Sequence, residues 1–227
     1  MPTRGGAVMA INHIGYMDFT YAGLSALKSG RLVRFMAKDD VFRHRVSGPL
    51  MRGMHHIPVD RTAGAASYRA AVEALRSGEI VGVFPEATIS RSFELKEFKL
   101  GAARMAIEAG VPIIPVVLWG SQRVWTKGHP KRLGRTNTPI SISVGEPIPV
   151  APGADPVVVT EQYKRVMAQM LDVLRNTYEP LTGADLTFLP ASMGGTAPTL
   201  AEATRLDDAD VAERRRRAEE RRSASPT

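Results

Sequence analysis

An α/β fold, with a mostly parallel central sheet flanked by helices, is predicted by two features of this sequence. Apolar runs of strand length, at Ala7–Ile11, Leu32–Ala37, Ile80–Phe84 and Ile113–Leu118, alternate with longer segments of helical pattern near 16–28, 63–77 and 99–110. The runs are also largely apolar rather than alternating, as expected of strands covered on both faces in a parallel sheet.

Taken in order, the first run ends at Asn12-His13, and the helical pattern near 16–28 begins directly behind it. His13 and Asp18 are five positions apart, about 140° of rotation on a regular helix, so they cannot converge from one face of it. His13 is therefore expected in a strand-to-helix turn eased by Gly15, with Asp18 in the first helical turn. Further on, Ile140–Val144 reads as another strand. Glu161–Arg175 reads as a helix with Val166, Met170, Val173 and Leu174 on one face. From Pro190 the composition shifts: Gly194-Gly195, Pro198 and small residues read as a linker. Residues 205–222 are mostly charged, with Arg214–Arg217 in one block. The expected organisation is one domain over 1–180, with its motifs in 6–120, a linker over 181–204, and a charged helical or disordered tail over 205–227.

At 227 residues the chain is long enough for one compact domain with a substantial core. Lys and Arg number 30 against 23 Asp and Glu, a net charge of +7 that favours anionic partners such as phosphorylated substrates or acidic lipid headgroups. The charge concentrates in 28–52 and in 123–135, the latter with five basic residues and no acidic one. The tail adds little, because seven Arg and six acidic residues over 205–222 leave a net +1. With no cysteine, disulfide frameworks, thiolate metal sites and cysteine nucleophiles are excluded. No run of about eighteen apolar residues exists to span a membrane, so membrane contact is expected to be peripheral. No secretory signal profile opens the chain, and the expected place is cytoplasmic, on the inner face of the cell membrane.

Four strings recur in a fixed order. They are Asn12-His13-Ile14-Gly15-Tyr16-Met17-Asp18, Gly53-Met54-His55-His56-Ile57-Pro58-Val59-Asp60-Arg61, Phe84-Pro85-Glu86-Ala87-Thr88-Ile89-Ser90, and Val111-Pro112-Ile113-Ile114-Pro115-Val116. Together they resemble the signature of the glycerolipid acyltransferases, in particular the 1-acyl-sn-glycerol-3-phosphate acyltransferase family. The resemblance spans roughly 6–120 and extends more weakly to about 150. Two departures stand in the third string, where the family's usual Phe-Pro-Glu-Gly-Thr-Arg-Ser has Gly and Arg in place of Ala87 and Ile89. Family members generally carry a further amphipathic or apolar segment upstream, and a chain lacking it is expected to dock less firmly on a membrane.

The resemblance implies transfer of a fatty acyl group from acyl-CoA or acyl carrier protein to the hydroxyl of lysophosphatidic acid, giving phosphatidic acid, with no bound cofactor. That chemistry needs a base for the attacking hydroxyl, and imidazole suits it near neutrality. His13 is the candidate base, and Asp18 the acceptor that fixes its tautomer. Arg61 is implied as the holder of the acceptor phosphate, which a guanidinium can grip with two parallel hydrogen bonds. Glu86 is implied to bind the acceptor or to orient groups that do. Thr88, at the end of its strand with Glu86, is a candidate oxyanion donor. Lys99, beside Gly101, would add a second contact to phosphate, and Arg91 is placed to replace the missing Arg. His55-His56 suggests a metal, but adjacent strand residues point to opposite faces and no ligand set with metal spacing is visible, so no metal is expected. Two other functions remain open: an acyltransferase for another acceptor (glycerol-3-phosphate, a lysophospholipid or a glycolipid), and a non-catalytic basic module that binds anionic membranes or nucleic acid. No nucleic-acid fold signature is present.

Overall fold

The computed structural model describes residues 1–59 and 64–223. Six strands form one sheet in the order β3-β2-β4-β1-β5-β6, with β1 (Ala7–Ile11), β2 (Val33–Lys38), β3 (Ile57–Val59), β4 (Ile80–Val83), β5 (Ile113–Trp119) and β6 (Ser141–Val144). All neighbours pair in parallel except β5 with β6, which are antiparallel. This is the expected α/β architecture.

The apolar strands at the centre have a simple physical basis. Every residue of β1 and β5 is buried, and alternate side chains enter opposite layers. Ala7, Met9 and Ile11 pack with Ala22 and Ala26 of helix α1 (Asp18–Leu27) on one face. Val8 and Ala10 join the larger layer on the other face, built from α4 (Gly64–Arg76), α5 (Gly101–Ala109) and α6 (Pro156–Thr177). The connection leaving β1 thus covers one face and the connection leaving β4 the other. In such open sheets, the carboxyl ends of the strands are where ligand crevices form. Asn12 closes β1: its buried amide donates to Leu118 O (3.1 Å) and accepts from Leu118 N–H (2.7 Å), continuing the ladder through a side chain.

Several elements differ from expectation. Residues 39–53 hold two short helices, α2 (Asp39–Arg43) and α3 (Ser47–Gly53), which no extended apolar period announces. The helix expected over 161–175 is longer, and its most buried positions are offset: α6 buries Val159, Tyr163, Met167 and Leu171, with Val166, Met170 and Leu174 packed partly buried beside them and Val173 exposed. An i, i+4 ladder that includes the Tyr163 ring forms the centre of the buried stripe, and three of the four expected residues form its flank. Asp155 caps α6 by accepting the Val157 N–H (2.8 Å), with Pro at the first helical position.

The stretch expected as a linker carries two 3-10 turns, Gly183–Phe188 and Ala191–Met193, and buries Phe188 and Ala197 in the main core. Its small residues serve tight packing, since a Cβ on Gly195 would lie 2.0 Å from the Leu189 carbonyl oxygen. The charged tail is helical, as α7 (Leu200–Ser223). It starts at a capping box in which Glu202 accepts the Thr199 N–H (2.9 Å) and Thr199 Oγ1 accepts the Glu202 N–H (3.3 Å). Among the described residues, no helix is long and apolar enough to cross a membrane.

Candidate active site

The turn after β1 is organised by one carboxylate. Asp18, fully buried at the first position of α1, accepts the backbone N–H of Ile14 (2.7 Å) and of Gly15 (2.8 Å) on Oδ2. The same oxygen lies 3.0 Å from His13 Nδ1. Its other oxygen accepts the Ser121 hydroxyl (2.6 Å). His13 is thus in the strand-to-helix turn and Asp18 in the first helical turn. The imidazole stacks on Phe84, with ring centroids 4.1 Å apart and planes 23° from parallel. Packing and hydrogen bonding together fix its plane. With Nδ1–H directed at the carboxylate, Nε2 keeps its lone pair and can accept a proton.

Gly15 is required here by close approach rather than by an unusual φ. A Cβ on it would stand 3.0 Å from Ser121 O, 3.1 Å from Trp125 O and 3.2 Å from Asp18 Oδ1. The segment after β5 lies directly on the turn: Tyr16 N–H donates to Trp125 O (2.9 Å), and the Thr126 hydroxyl donates to Ile14 O (2.7 Å).

Glu86 enters from the end of the neighbouring parallel strand β4. It is 3% exposed, and its two oxygens accept backbone N–H groups from two separate loops, His13 (2.8 Å) and Lys96 (3.1 Å). Ser90 N–H returns to His13 O (2.7 Å), so the two loops are joined twice. Burial pushes Glu86 up to about 8 against the opposing pull of these two amides, with the Asp18 charge adding to the rise. With both oxygens engaged by main chain, Glu86 ties the His13 turn to the loop after β4.

Thr88 Oγ1 accepts from Lys127 Nζ (2.5 Å), so Thr88 stands beside a cation supplied by the segment after β5. Lys99 is exposed, and its backbone N–H donates to Pro85 O (2.9 Å). Arg61 lies outside the described residues. Ala87 holds φ +60°, the left-handed conformation that glycine adopts at no steric cost. Ile89 is buried, so the surface near Thr88 takes its charge from Arg91, Lys96 and Lys127 instead.

His56 is a buried structural residue whose Nδ1 accepts the Phe35 N–H (3.1 Å), and burial lowers its pKa. His55 occupies a turn at φ +54°. Among the described residues, no group of His, Asp and Glu is clustered as metal ligands.

Sequence reasoning does not reach Ser121, Lys96 or Lys127. Lys127 lies inside the basic stretch 123–135, which is a signal for charge but not for position. Ser121 carries no signal, being one of many serines.

The fold and site define the class: an α/β protein with a His–Asp pair at the carboxyl rim of a mostly parallel sheet. The acyltransferase family model matches residues 1–119. A 1-acyl-sn-glycerol-3-phosphate acyltransferase of Bacillus subtilis is 30% identical over 152 residues, which is 65% of this chain and 69% of that protein. One of Limnanthes douglasii is 35% identical over 97 residues, 41% of this chain and 34% of that protein. A chloroplastic one of Arabidopsis thaliana is 26% identical over 170 residues, 74% of this chain and 45% of that protein. The chain thus spans about two thirds of the bacterial relative and less than half of these two plant relatives. The crystal structure of the 1-acyl-sn-glycerophosphate acyltransferase PlsC from Thermotoga maritima shares the fold, with a TM-score of 0.63 at 22% identity over 78% of this chain and 69% of that one. The chain belongs to the acyltransferase family, among the O-acyltransferases of the 1-acyl-sn-glycerol-3-phosphate type.

Proposed function

We propose that this protein transfers a fatty acyl group from acyl-CoA or acyl carrier protein to the free hydroxyl of 1-acyl-glycerol-3-phosphate, giving phosphatidic acid and a free thiol. The observation that carries this reading is the His13–Asp18 pair (3.0 Å), tied through Glu86 to the loop after β4. His13 Nε2 takes the acceptor's hydroxyl proton as its oxygen attacks the thioester carbonyl. Asp18 steadies the imidazolium that forms. The tetrahedral oxyanion then collapses, the C–S bond breaks and the proton passes to the departing thiolate, so no acyl-enzyme is required.

In this reading Glu86 orients the His13 turn, and Thr88 or nearby backbone N–H groups receive the oxyanion. Arg61 and Lys99 contact the acceptor phosphate, which turns phosphate binding into orientation of the hydroxyl. The acceptor reaches the protein at an anionic membrane surface, where the net positive charge favours peripheral contact. Ala87 and Ile89 in the third string support testing other acceptors alongside lysophosphatidic acid.

The test is thiol release from acyl-CoA against a panel of acceptors, comparing the unaltered protein with His13→Ala and Arg61→Ala. Lysophosphatidic acid should be the preferred acceptor, His13→Ala should abolish turnover with the fold intact, and Arg61→Ala should chiefly raise the acceptor KM. Near-normal turnover by His13→Ala rules out the base, and thiol release that no acceptor stimulates rules out the transferase.

A further inference from the structure

Helix α7 reaches the site through two carboxylates. Asp207 Oδ1 accepts from Lys127 Nζ (2.9 Å) and Arg91 Nε (3.4 Å), and its Oδ2 accepts from Lys96 Nζ. Asp210 Oδ2 accepts from Arg91 Nη2 (2.6 Å). The three cations come from two stretches, the loop after β4 and the segment after β5, and their side chains are only 15–16% exposed. Three positive charges thus face two negative ones, with the Thr88 hydroxyl on the same lysine. Partial burial pushes Asp207 up, but the hydrogen bonds and charges of Lys96 and Lys127 outweigh it and hold the carboxyl below its ordinary range.

The seat of α7 is otherwise slight. It is charged on all sides, and of its described side chains only Ala203 is buried. A helix polar all round has no apolar stripe to anchor it, so its position depends heavily on ion pairs that another anion can replace. Three cationic donors converging on one carboxylate also present the donor set that a phosphate group takes.

We propose that Arg91, Lys96 and Lys127 form a phosphate-ester pocket that Asp207 occupies as a tethered competitor, so that an entering phosphate displaces α7. The pocket adjoins the reacting groups, because the Lys96 amide donates to the same Glu86 that holds His13. Its role in turnover rests on the acyltransferase reading, under which both substrates bear phosphate esters; its binding of phosphate does not.

The experiment uses the full chain and two probes, glycerol 3-phosphate for the acceptor and coenzyme A for the donor. Each is titrated calorimetrically into the unaltered protein, Asp207→Asn, and Asp207→Asn combined with Lys127→Met. Amide hydrogen exchange across 200–213 is followed with and without each probe. Relief of the tethered competitor should tighten at least one probe by about fivefold or more in Asp207→Asn, and Lys127→Met should reverse the gain. In the unaltered protein, the same probe should speed exchange in α7. A response to glycerol 3-phosphate assigns the pocket to the acceptor, and a response to coenzyme A alone assigns it to the donor.

Unchanged affinities together with unchanged exchange would overturn the proposal, leaving the cluster as an ion-pair network that only fastens the tail. If Asp207→Asn lowers stability too far for titration, the exchange response of the unaltered protein decides alone. None of these readouts needs turnover. A protein that binds as expected but transfers no acyl group keeps the pocket and loses the proposed function, and an active enzyme without the response keeps the function and loses the pocket.

Discussion

Asp18 Oδ2 lies 3.0 Å from His13 Nδ1 and at the same time accepts the backbone N–H groups of Ile14 and Gly15. One buried oxygen therefore shapes the turn and orients the imidazole. Asp18→Asn separates those duties. The amide oxygen can keep the Ile14 and Gly15 bonds, and the amide nitrogen can donate to Ser121 Oγ, but the negative charge beside the imidazolium is gone. Turnover should fall by roughly 10²–10⁴-fold with little change in fold. Steady-state thiol release and near-ultraviolet circular dichroism on one sample check both halves, and a variant with near-wild-type turnover removes Asp18 from the mechanism.

Gly15 tests the packing around that turn. Alanine there adds a Cβ 3.0–3.2 Å from three oxygens on two different segments. The segment after β5 must give by a few tenths of an ångström. We expect Gly15→Ala to lose about 1 kcal/mol of stability and about tenfold in kcat. Urea unfolding and kinetics read the two effects separately, and a fully active variant would show that the turn is not a constraint on catalysis.

Glu86 makes a pH prediction whose sign follows from its burial. An ordinary glutamate releases its proton near 4.5, and here burial raises that to about 8. Between the two values the folded protein keeps a proton that the unfolded chain has lost. This contribution to stability is present in full below about 4.5 and declines as pH rises toward 8. Glu86→Gln has no such proton. The unfolding free energy of the unaltered protein minus that of this variant should fall across that interval, by on the order of a few kcal/mol, as the unaltered protein loses stability that the variant keeps. Urea titrations at pH 5, 6, 7 and 8 measure it, and a flat difference means that Glu86 is ionised throughout.

At Ala87 the backbone holds φ +60°. Removing the Cβ relieves about 1–2 kcal/mol of left-handed strain, while glycine returns about 0.4–1 kcal/mol to the unfolded chain as entropy. Ala87→Gly should therefore raise stability by about 0.5–1 kcal/mol, read as a higher urea midpoint at unchanged slope. A lowered midpoint would show that Ala87 makes contacts worth more than its strain.

Much of the fold is legible in local pattern because each central strand is buried on both faces and so must be apolar along its length. The runs at 7–11, 32–37, 80–84 and 113–118 announce strands within a residue or two of their observed bounds. The His13–Asp18 spacing is legible for a similar reason: both residues belong to one turn, and five positions of chain settle most of their geometry. Helices α2 and α3 escape because each is too short to express a period. The centre of α6's buried face escapes because it is chosen by the surface it meets, where Tyr163 stacks on Phe98 at 5.5 Å, while Val166, Met170 and Leu174 pack on its flank as expected.

What the sequence by itself determined is the alternation of elements and the residues brought to the rim at the ends of β1 and β4. The tertiary structure alone decided which distant groups meet them there. Ser121 reaches Asp18 across 103 positions, and Lys127 and Asp207 meet across 80. Such contacts leave no local period or spacing, because they are set by how the layers stack and by which charges remain to be paired once the apolar faces have been buried.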